Sequence, residues 1–306
     1  MALKHTSLRR LNVFEAVARH RSFSRAAAEL HLTQPAVSMQ LRQLEQEVGL
    51  PLIEQMGRRL DVTPAGREIV ECARSLIARL RETEEALNAL KGHRGGELAI
   101  STVSTAKYHV PKLLAEFRRQ HPDVQVRLSV SNREVVVRDL ANNAVDLAIM
   151  GTPPRGLDTI AVPFAKHPIA IIAAPDHPLA RRRRLPLARL AGDTFLIREP
   201  GSGTRSAMER FFAARRFRPR ETIEMSSNET IKQAVMAGMG VSFLSLHTVS
   251  LELQAERLIV LDIAGTPVMR AWHVIHRERK RLSPVAQAFK DFLIERGARV
   301  IEQALG

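Results

Sequence analysis

One cysteine, Cys72, occurs in 306 residues. That excludes an intrachain disulfide and, with it, the disulfide-stapled secreted class. Cys72 reads as a thiol on a helix face, with Arg74 and Arg79 too far away to mark it as a redox sensor. No apolar run approaches the roughly 20 residues that cross a bilayer. The first residues mix Lys4, Arg9 and Arg10 into an amphipathic pattern rather than placing charge before an apolar stretch, so a cytoplasmic location is expected. The chain has no His-Glu-x-x-His, no paired Cys-x-x-Cys, no nucleophile elbow and no Gly-x-Gly-x-x-Gly after a strand. His273 and His276, three apart on a predicted strand, project to opposite faces and cannot share a metal. Neither catalysis nor a metal or cofactor is expected.

What is present is an ordinary globular composition, 45% hydrophobic and 25% charged, at a length that suggests about two domains. The net charge of +14 favours a polyanionic partner or anionic ligands. Residues 1–94 hold 15 Lys and Arg against 11 Asp and Glu, a net +4, which leaves +10 to the remainder. A nucleic-acid reading therefore cannot rest on net charge. The run Arg181 to Arg184 reads as a solvated loop, with phosphate binding as the alternative.

The N-terminal periodicity says more. Leu11, Phe14 and Val17 recur at helical spacing, and Ser24 precedes an Ala-rich stretch through Leu30. After a short turn, Thr33 can cap a third helix whose Val37, Leu41, Leu44 and Val48 form an inward stripe. Gln34, Pro35, Ser38, Met39 and Arg42 are left outside at its start, a polar set able to enter a major groove. Periodicity alone leaves open a small helical bundle with a merely polar face.

Specific residues decide between them. Phe14, Ser22-Phe23, Ala26-Ala27, Leu30, the run Thr33 to Ser38, Leu44-Glu45 and Leu60 to Gly66 stand in the register of the LysR family of bacterial transcription regulators, which this stretch closely resembles. The resemblance implies a winged helix-turn-helix over residues 1–63. It places Thr33, Gln34, Pro35 and Ser38 near bases or their sugar-phosphate frame, Gln40 and Arg42 nearby, and Arg58 and Arg59 in the wing. Glutamine can pair bidentately with adenine, serine can donate to phosphate, and a wing arginine can enter a minor groove or neutralise a phosphate. The sequence departs from the family pattern at Arg21, where glycine is frequent, at Met39, often basic, and at Gln55, often arginine. Phosphate contacts through the last two positions are not expected.

Thr63-Pro64 reads as a cap followed by proline in the first helical position, opening a helix without a breaker until Gly92. Ile69, Ala73, Leu76, Leu80, Thr83, Leu87 and Leu90 alternate by four and three, an a/d seam over about three heptads. Packing within its own domain is one reading of this seam; the family resemblance implies instead a linker helix, residues 64–94, pairing with a second subunit. Two reading heads then occupy an inverted-repeat operator on double-stranded DNA, as a dimer or a dimer of dimers, with RNA polymerase among the partners.

Three glycines between Lys91 and Gly96 mark a boundary, beyond which strands and helices alternate. Strands are expected at 97–103, 124–130, 146–150, 169–174, 195–197, 241–245 and 272–276, and helices at 108–119, 133–141, 204–214, 230–237 and 283–305. This fits two α/β subdomains joined by two crossings, as in periplasmic binding proteins, a fold that LysR effector domains share by resemblance. The effector domain would span 95–306, with subdomain I at about 95–165 and 268–306 and subdomain II at about 166–267. Ligands bind such folds in the cleft, near strand C-termini and helix N-termini. Ser101, Thr102, Ser104 and Thr105, followed by Lys107, supply hydroxyls and a cation there. Arg198, Gly203, Thr204 and Arg205 form a glycine-bearing loop feeding a helix, and Asn228 and Glu229 cap another. His247 reads as a core or capping histidine.

The stretches Ser101 to Pro111, Arg198 to Arg205 and Asn228 to Thr248 resemble the CbbR branch of the family, regulators of Calvin-cycle carbon-fixation operons. That implies a phosphorylated metabolite or nucleotide-type effector, such as ribulose bisphosphate, phosphoenolpyruvate or NADPH. A regulator of sulfur or nitrogen metabolism is the alternative, since hydroxyl-rich clefts also suit sulfate esters and small carboxylates. A non-regulatory binding protein is disfavoured by the helix-turn-helix.

Overall fold

The structure, a computed structural model, describes residues 6–56, 59–90 and 96–305. The chain divides into two compact units, one of residues 1–90 with 142–144 and a second built from 91–141 and 145–306.

The first unit is α1 (Leu8–His20), α2 (Phe23–Glu29), α3 (Gln34–Val48), the hairpin β1 (Ile53–Met56) and β2 (Arg59–Val62), and α4 (Pro64–Leu90). Ser7, Ser22 and Thr33 cap the first three helices through their hydroxyls. The cap of α2 is thus two residues earlier than Ser24. Arg21 takes the left-handed conformation, φ 49°, which gives a physical reason for glycine being frequent there in the family pattern. Leu11, Phe14, Leu41 and Leu44 share a core with Leu52, Ile69 and Ala73. Glu45 accepts hydrogen bonds from the backbone N–H of Leu52 and Ile53, tying α3 to the hairpin. Thr63 caps α4 as expected, accepting from Gly66 N–H at 3.0 Å. A Cβ on Gly66 would collide with the Leu52 carbonyl, so only glycine lets α4 start against this turn.

The expected seam of α4 divides in two. Ile69 and Ala73 are buried in the unit's own core, and Glu15 of α1 pairs with Arg74 at 3.1 Å, so these two positions do not face a second subunit. Leu76, Leu80 and Leu87 are exposed, 45%, 45% and 50%, and keep the spacing of a stripe. The Leu90 side chain lies outside the described residues.

The second unit has one mixed sheet of nine strands: β3 (Gly96–Val103), β4 (Val124–Ser131), β5 (Leu147–Met150), β6 (Thr159–Ala173), β7 (Thr194–Arg198), β8 (Glu221–Met225), β9 (Val241–Ser245), β10 (Ile259–Val260) and β11 (Val268–Arg277). The order is β4-β3-β5-β11-β6-β9-β7-β8, with β10 also on β6. Parallel strands lie at both ends, β3 with β4 and β5, and β7 with β8 and β9. Between them β6 and β11 pair antiparallel along their length and belong to both halves. These are the two expected crossings, as long strands. In the first half, α5 (Val110–Gln120) and α10 (Pro284–Leu305) cover one face, and α6 (Arg133–Ala141) the other. In the second, α7 (Gly203–Ala213) and α8 (Asn228–Met236) cover opposite faces, and α9 (Ser250–Gln254) follows β9.

Strand β8 and the early parts of β6 and β11 were not expected from sequence. The first is a polar, largely exposed edge. The second carries Pro163 and Pro168, residues that argue against a strand interior. The register of β11 on β6 shifts between Trp272 and His273, which face Ala165 and Pro163, and this irregularity accommodates the proline. Lys280 and Asp146 form a buried ion pair at 3.0 Å, with Asp146 also accepting from Ala99 N–H at 2.9 Å, locking β3 to the chain after β11.

Candidate functional site

A narrow cleft, open to solvent at its mouth, lies where the two halves of the sheet meet. It is built from the C-terminal ends of three strands, through Ser104 and Thr105 after β3, Gly151 and Thr152 after β5 and Arg198 and Glu199 at β7. The N-termini of α6 and α7 also face it, with their caps Asn132 and Ser202, each accepting from the backbone N–H of the first turn. Two helix N-termini at one cavity favour negative charge. From the crossing strands come His167 of β6 and Arg270 of β11.

Arg270 dominates the electrostatics. Its guanidinium donates to the carbonyls of Gly203 at 3.0 Å and Gly151 at 2.8 Å and to the Thr152 hydroxyl, spanning both halves of the unit. All its partners are neutral: no carboxylate pairs with it among the described residues. Burial, and then the nearby cations Arg210 and Arg133, push its pKa down to about 10. Arg133, also at the cavity and lowered by burial, is held by the carbonyls of Thr152 and Pro153. Among the described residues neither Arg270 nor Arg133 has a counter-ion, an arrangement that favours negative charge in this cavity.

Five of the eleven residues expected around a ligand line this cavity: Ser104, Thr105, Arg198, Gly203 and Thr204. The other six do not. Ser101 and Thr102 are fully buried and donate to Asp139 and to the Ile149 carbonyl. Arg205 pairs with Glu209 and Glu224 on the outside of α7. Lys107 lies 3.8 Å from Glu229, which accepts from the Tyr108 hydroxyl at 2.5 Å and pairs with Lys232 at 3.0 Å, a second bridge between the halves. Asn228 accepts from Arg198 Nη1 at 2.5 Å, and Arg198 also bonds Glu199 and the Ser104 hydroxyl at 3.2 Å. Arg198 is thus a strut whose charge is met by Glu199. Sequence reasoning missed Arg133, Thr152, His167 and Arg270; the glycine ending the apolar strand Leu147–Met150 was the one available signal.

Beneath the cavity three histidines surround Trp272. The His167 ring stacks on it at 3.9 Å, His109 leans on it at 4.7 Å, and its Nε1–H donates to His247 Nδ1 at 2.9 Å. His247 is therefore a core residue. Burial pushes the pKa of His109 down to about 3 and of His247 to about 4, and holds His167 well below its ordinary value, with Arg270 adding to the effect.

In the first unit, Gln34, Pro35, Ser38, Met39, Arg42, Gln43 and Gln46 line one shallow surface groove along α3. Gln34, Pro35 and Arg42 are exposed, Ser38 and Gln40 half-buried, and Thr33 is the cap. Gln40 is not part of this groove. Arg58 lies outside the described residues; Arg59 begins β2, opposite Met56, and its side chain is not among those described.

Residues 8–67 match the family model for the bacterial regulatory helix-turn-helix protein of the lysR family, and residues 91–298 match the LysR substrate binding domain. The chain belongs to the LysR family of transcriptional regulators. It is 51% identical over 296 residues to the RuBisCO operon transcriptional regulator of Allochromatium vinosum, covering 97% of this chain and 98% of that protein. It is 48% identical over 304 residues to the HTH-type transcriptional regulator CfxR of Cupriavidus necator, covering 99% and 96%. Among solved structures it is similar to the regulatory domain of Synechocystis CcmR in complex with 2-PG, at 40% identity and a TM-score of 0.63, covering 65% of this chain and 96% of that one. The resemblance read from residues 11–66 thus extends to the whole chain. Among the described residues no helix is long and apolar enough to cross a membrane.

Proposed function

We propose that this LysR regulator controls carbon-fixation genes and responds to a small phosphorylated anion held in the cleft between the halves of its second unit. The observation that carries the effector reading is Arg270, a largely buried cation bonded, among the described residues, only to neutral groups, beside Arg133 and two helix N-termini. The names of the relatives support the target class, and the CcmR complex supports an effector such as 2-PG. Ser104, Thr105, Gly203 and Thr204 would meet the anion, with Arg198 positioning Ser104. The reading head, residues 1–63, would contact double-stranded DNA through Gln34, Pro35, Ser38 and Arg42 at the bases and Thr33, Arg58 and Arg59 at the backbone. Leu76, Leu80 and Leu87 on α4 would pair subunits on an inverted repeat. Effector binding would then change the bend of the operator rather than its base contacts, with RNA polymerase as the downstream partner.

A footprint on the DNA upstream of its own gene, repeated with 2-PG, ribulose bisphosphate, phosphoenolpyruvate and NADPH, tests this. A protected inverted repeat whose extent shifts with one of these compounds is expected. Protection unchanged by all of them would retract the phosphorylated effector and leave only the DNA reading. For the head, Gln34→Ala is expected to lower discrimination between operator and random duplex by about 10-fold, the value of one bidentate base contact. Competition binding reads this directly, and equal losses on both duplexes would remove Gln34 from base reading.

A further inference from the structure

Residues 1–90 contain the DNA-reading elements yet hold 13 Lys and Arg against 11 Asp and Glu, a net +2 of the chain's +14. The surplus lies in the second unit, and its densest part is Arg181 to Arg184, all exposed. The end of this run is fixed. Leu185 N–H donates to the Asp262 carbonyl and Ala264 N–H to the Leu185 carbonyl, both at 2.8 Å, and Leu185 packs on the apolar core that contains Ile263. Arg184 turns into this bridge through a left-handed conformation, φ 47°. The Ala264 carbonyl also accepts from Arg215 Nη2 at 3.5 Å, and the Arg215 guanidinium lies 3.8 Å over the Phe211 ring. Arg215, with exposed Arg216 beside it, therefore shares a face with the run.

Ion pairs in the surrounding region join His177 to Asp193 and Arg205 to Glu209 and Glu224. Among the described residues none involves Arg181 to Arg184, Arg215 or Arg216. Asp176, in a shallow groove with Arg181 and Arg182, and Asp262 at the bridge lie beside the run, and among the described residues neither forms an ion pair with it.

We propose that this arginine face is a second, sequence-independent DNA contact that grips the phosphate backbone of duplex flanking the sequence read by α3. Duplex DNA presents a negative charge about every 1.7 Å of its axis, and guanidinium forks match phosphate oxygens in pairs. A uniform polyanion suits a run of one residue type without internal pattern. An acidic protein surface suits it less, because protein interfaces centre on apolar or aromatic anchors. Here Leu187 and Phe211 are turned into the core and Leu185 is packed against it.

The test replaces Arg181 to Arg184 together by glutamine in the full chain. Operator affinity is measured between 50 and 200 mM salt on a duplex ending at the recognition repeat and on one with about 30 base pairs of flank on each side. With about 0.9 in slope per phosphate contact, the salt dependence on the long duplex should become shallower by about 3 to 4 per contacting protomer, while the short duplex shows no difference. The fourfold lysine variant, which keeps the charge, should retain most of the slope, separating charge from loop structure. Equal slopes for wild type and the glutamine variant on the long duplex would overturn the proposal. Equal slopes with lost promoter stimulation in reconstituted transcription would overturn it too, and assign the face to an acidic protein partner.

Discussion

Replacing Arg270 by methionine is expected to abolish the response to effector while leaving the operator bound. Methionine fills part of the volume of the arginine stem but removes a charge in the cleft that reaches both halves of the sheet and has only neutral partners among the described residues. An anion there loses a charge-assisted partner, which costs about 3 kcal/mol, or roughly 100-fold in effector affinity. Arg270→Lys keeps the charge without the fork, and an intermediate loss of about 10-fold is expected. Calorimetric titration of the full chain with 2-PG and the sugar phosphates reads the affinity, and mobility shift without effector confirms that the head still binds. Unchanged effector affinity in the methionine variant would exclude Arg270 as the anchor.

The contrast between Arg270 and Arg198 shows where sequence reading stops. Arg198 beside a Gly-Ser-Gly turn looks like the ligand's cation, but the fold sets Glu199 and Asn228 against it. Arg270 gives no local signal. It sits in the first part of β11, paired with His167 across a separation of about a hundred residues, and nothing in a window of sequence reports that neighbour. Local structure was legible where one helix face or one turn determines it. The Val37, Leu41 and Leu44 stripe, the Thr33 cap and the Thr63-Pro64 start each depend on residues within a turn or two. The α4 seam marks the intermediate case. The helix itself was legible, but periodicity cannot say that the unit's own core already covers Ile69 and Ala73 while Leu76 and Leu80 stay exposed. Prolines 163 and 168 hid the first part of β6 because a proline in a strand is tolerated only where tertiary context absorbs its missing donor.

Acid should destabilise the second unit steeply, beginning near pH 6.5. His109 and His247 are held neutral down to about pH 3 and 4 by burial, and His167 likewise well below its ordinary value. In the unfolded chain each titrates near 6.5, so below that pH the unfolded state binds more protons than the folded one. The stability these neutral rings contribute is fully present above about 6.5 and falls with pH, by about 1.4 kcal/mol per unit for each histidine, until the folded values are reached. Between pH 6.5 and 5 this is about 2 kcal/mol from each ring. Protonating His247 at Nδ1 would also remove the acceptor for the Trp272 indole. Because Trp272 is the one tryptophan of the chain and packs among these rings, urea unfolding followed by its fluorescence reports this unit alone. His109→Phe keeps an aromatic ring against Trp272 without a titrating group, so its stability should fall less steeply between pH 6.5 and 5 than that of wild type. Equal slopes in the two proteins would mean that the folded core accepts the His109 proton as readily as water does. A shallower slope would establish that His109 stays neutral in the folded core at neutral pH, so that this ring adds no positive charge beneath Arg270 and Arg133.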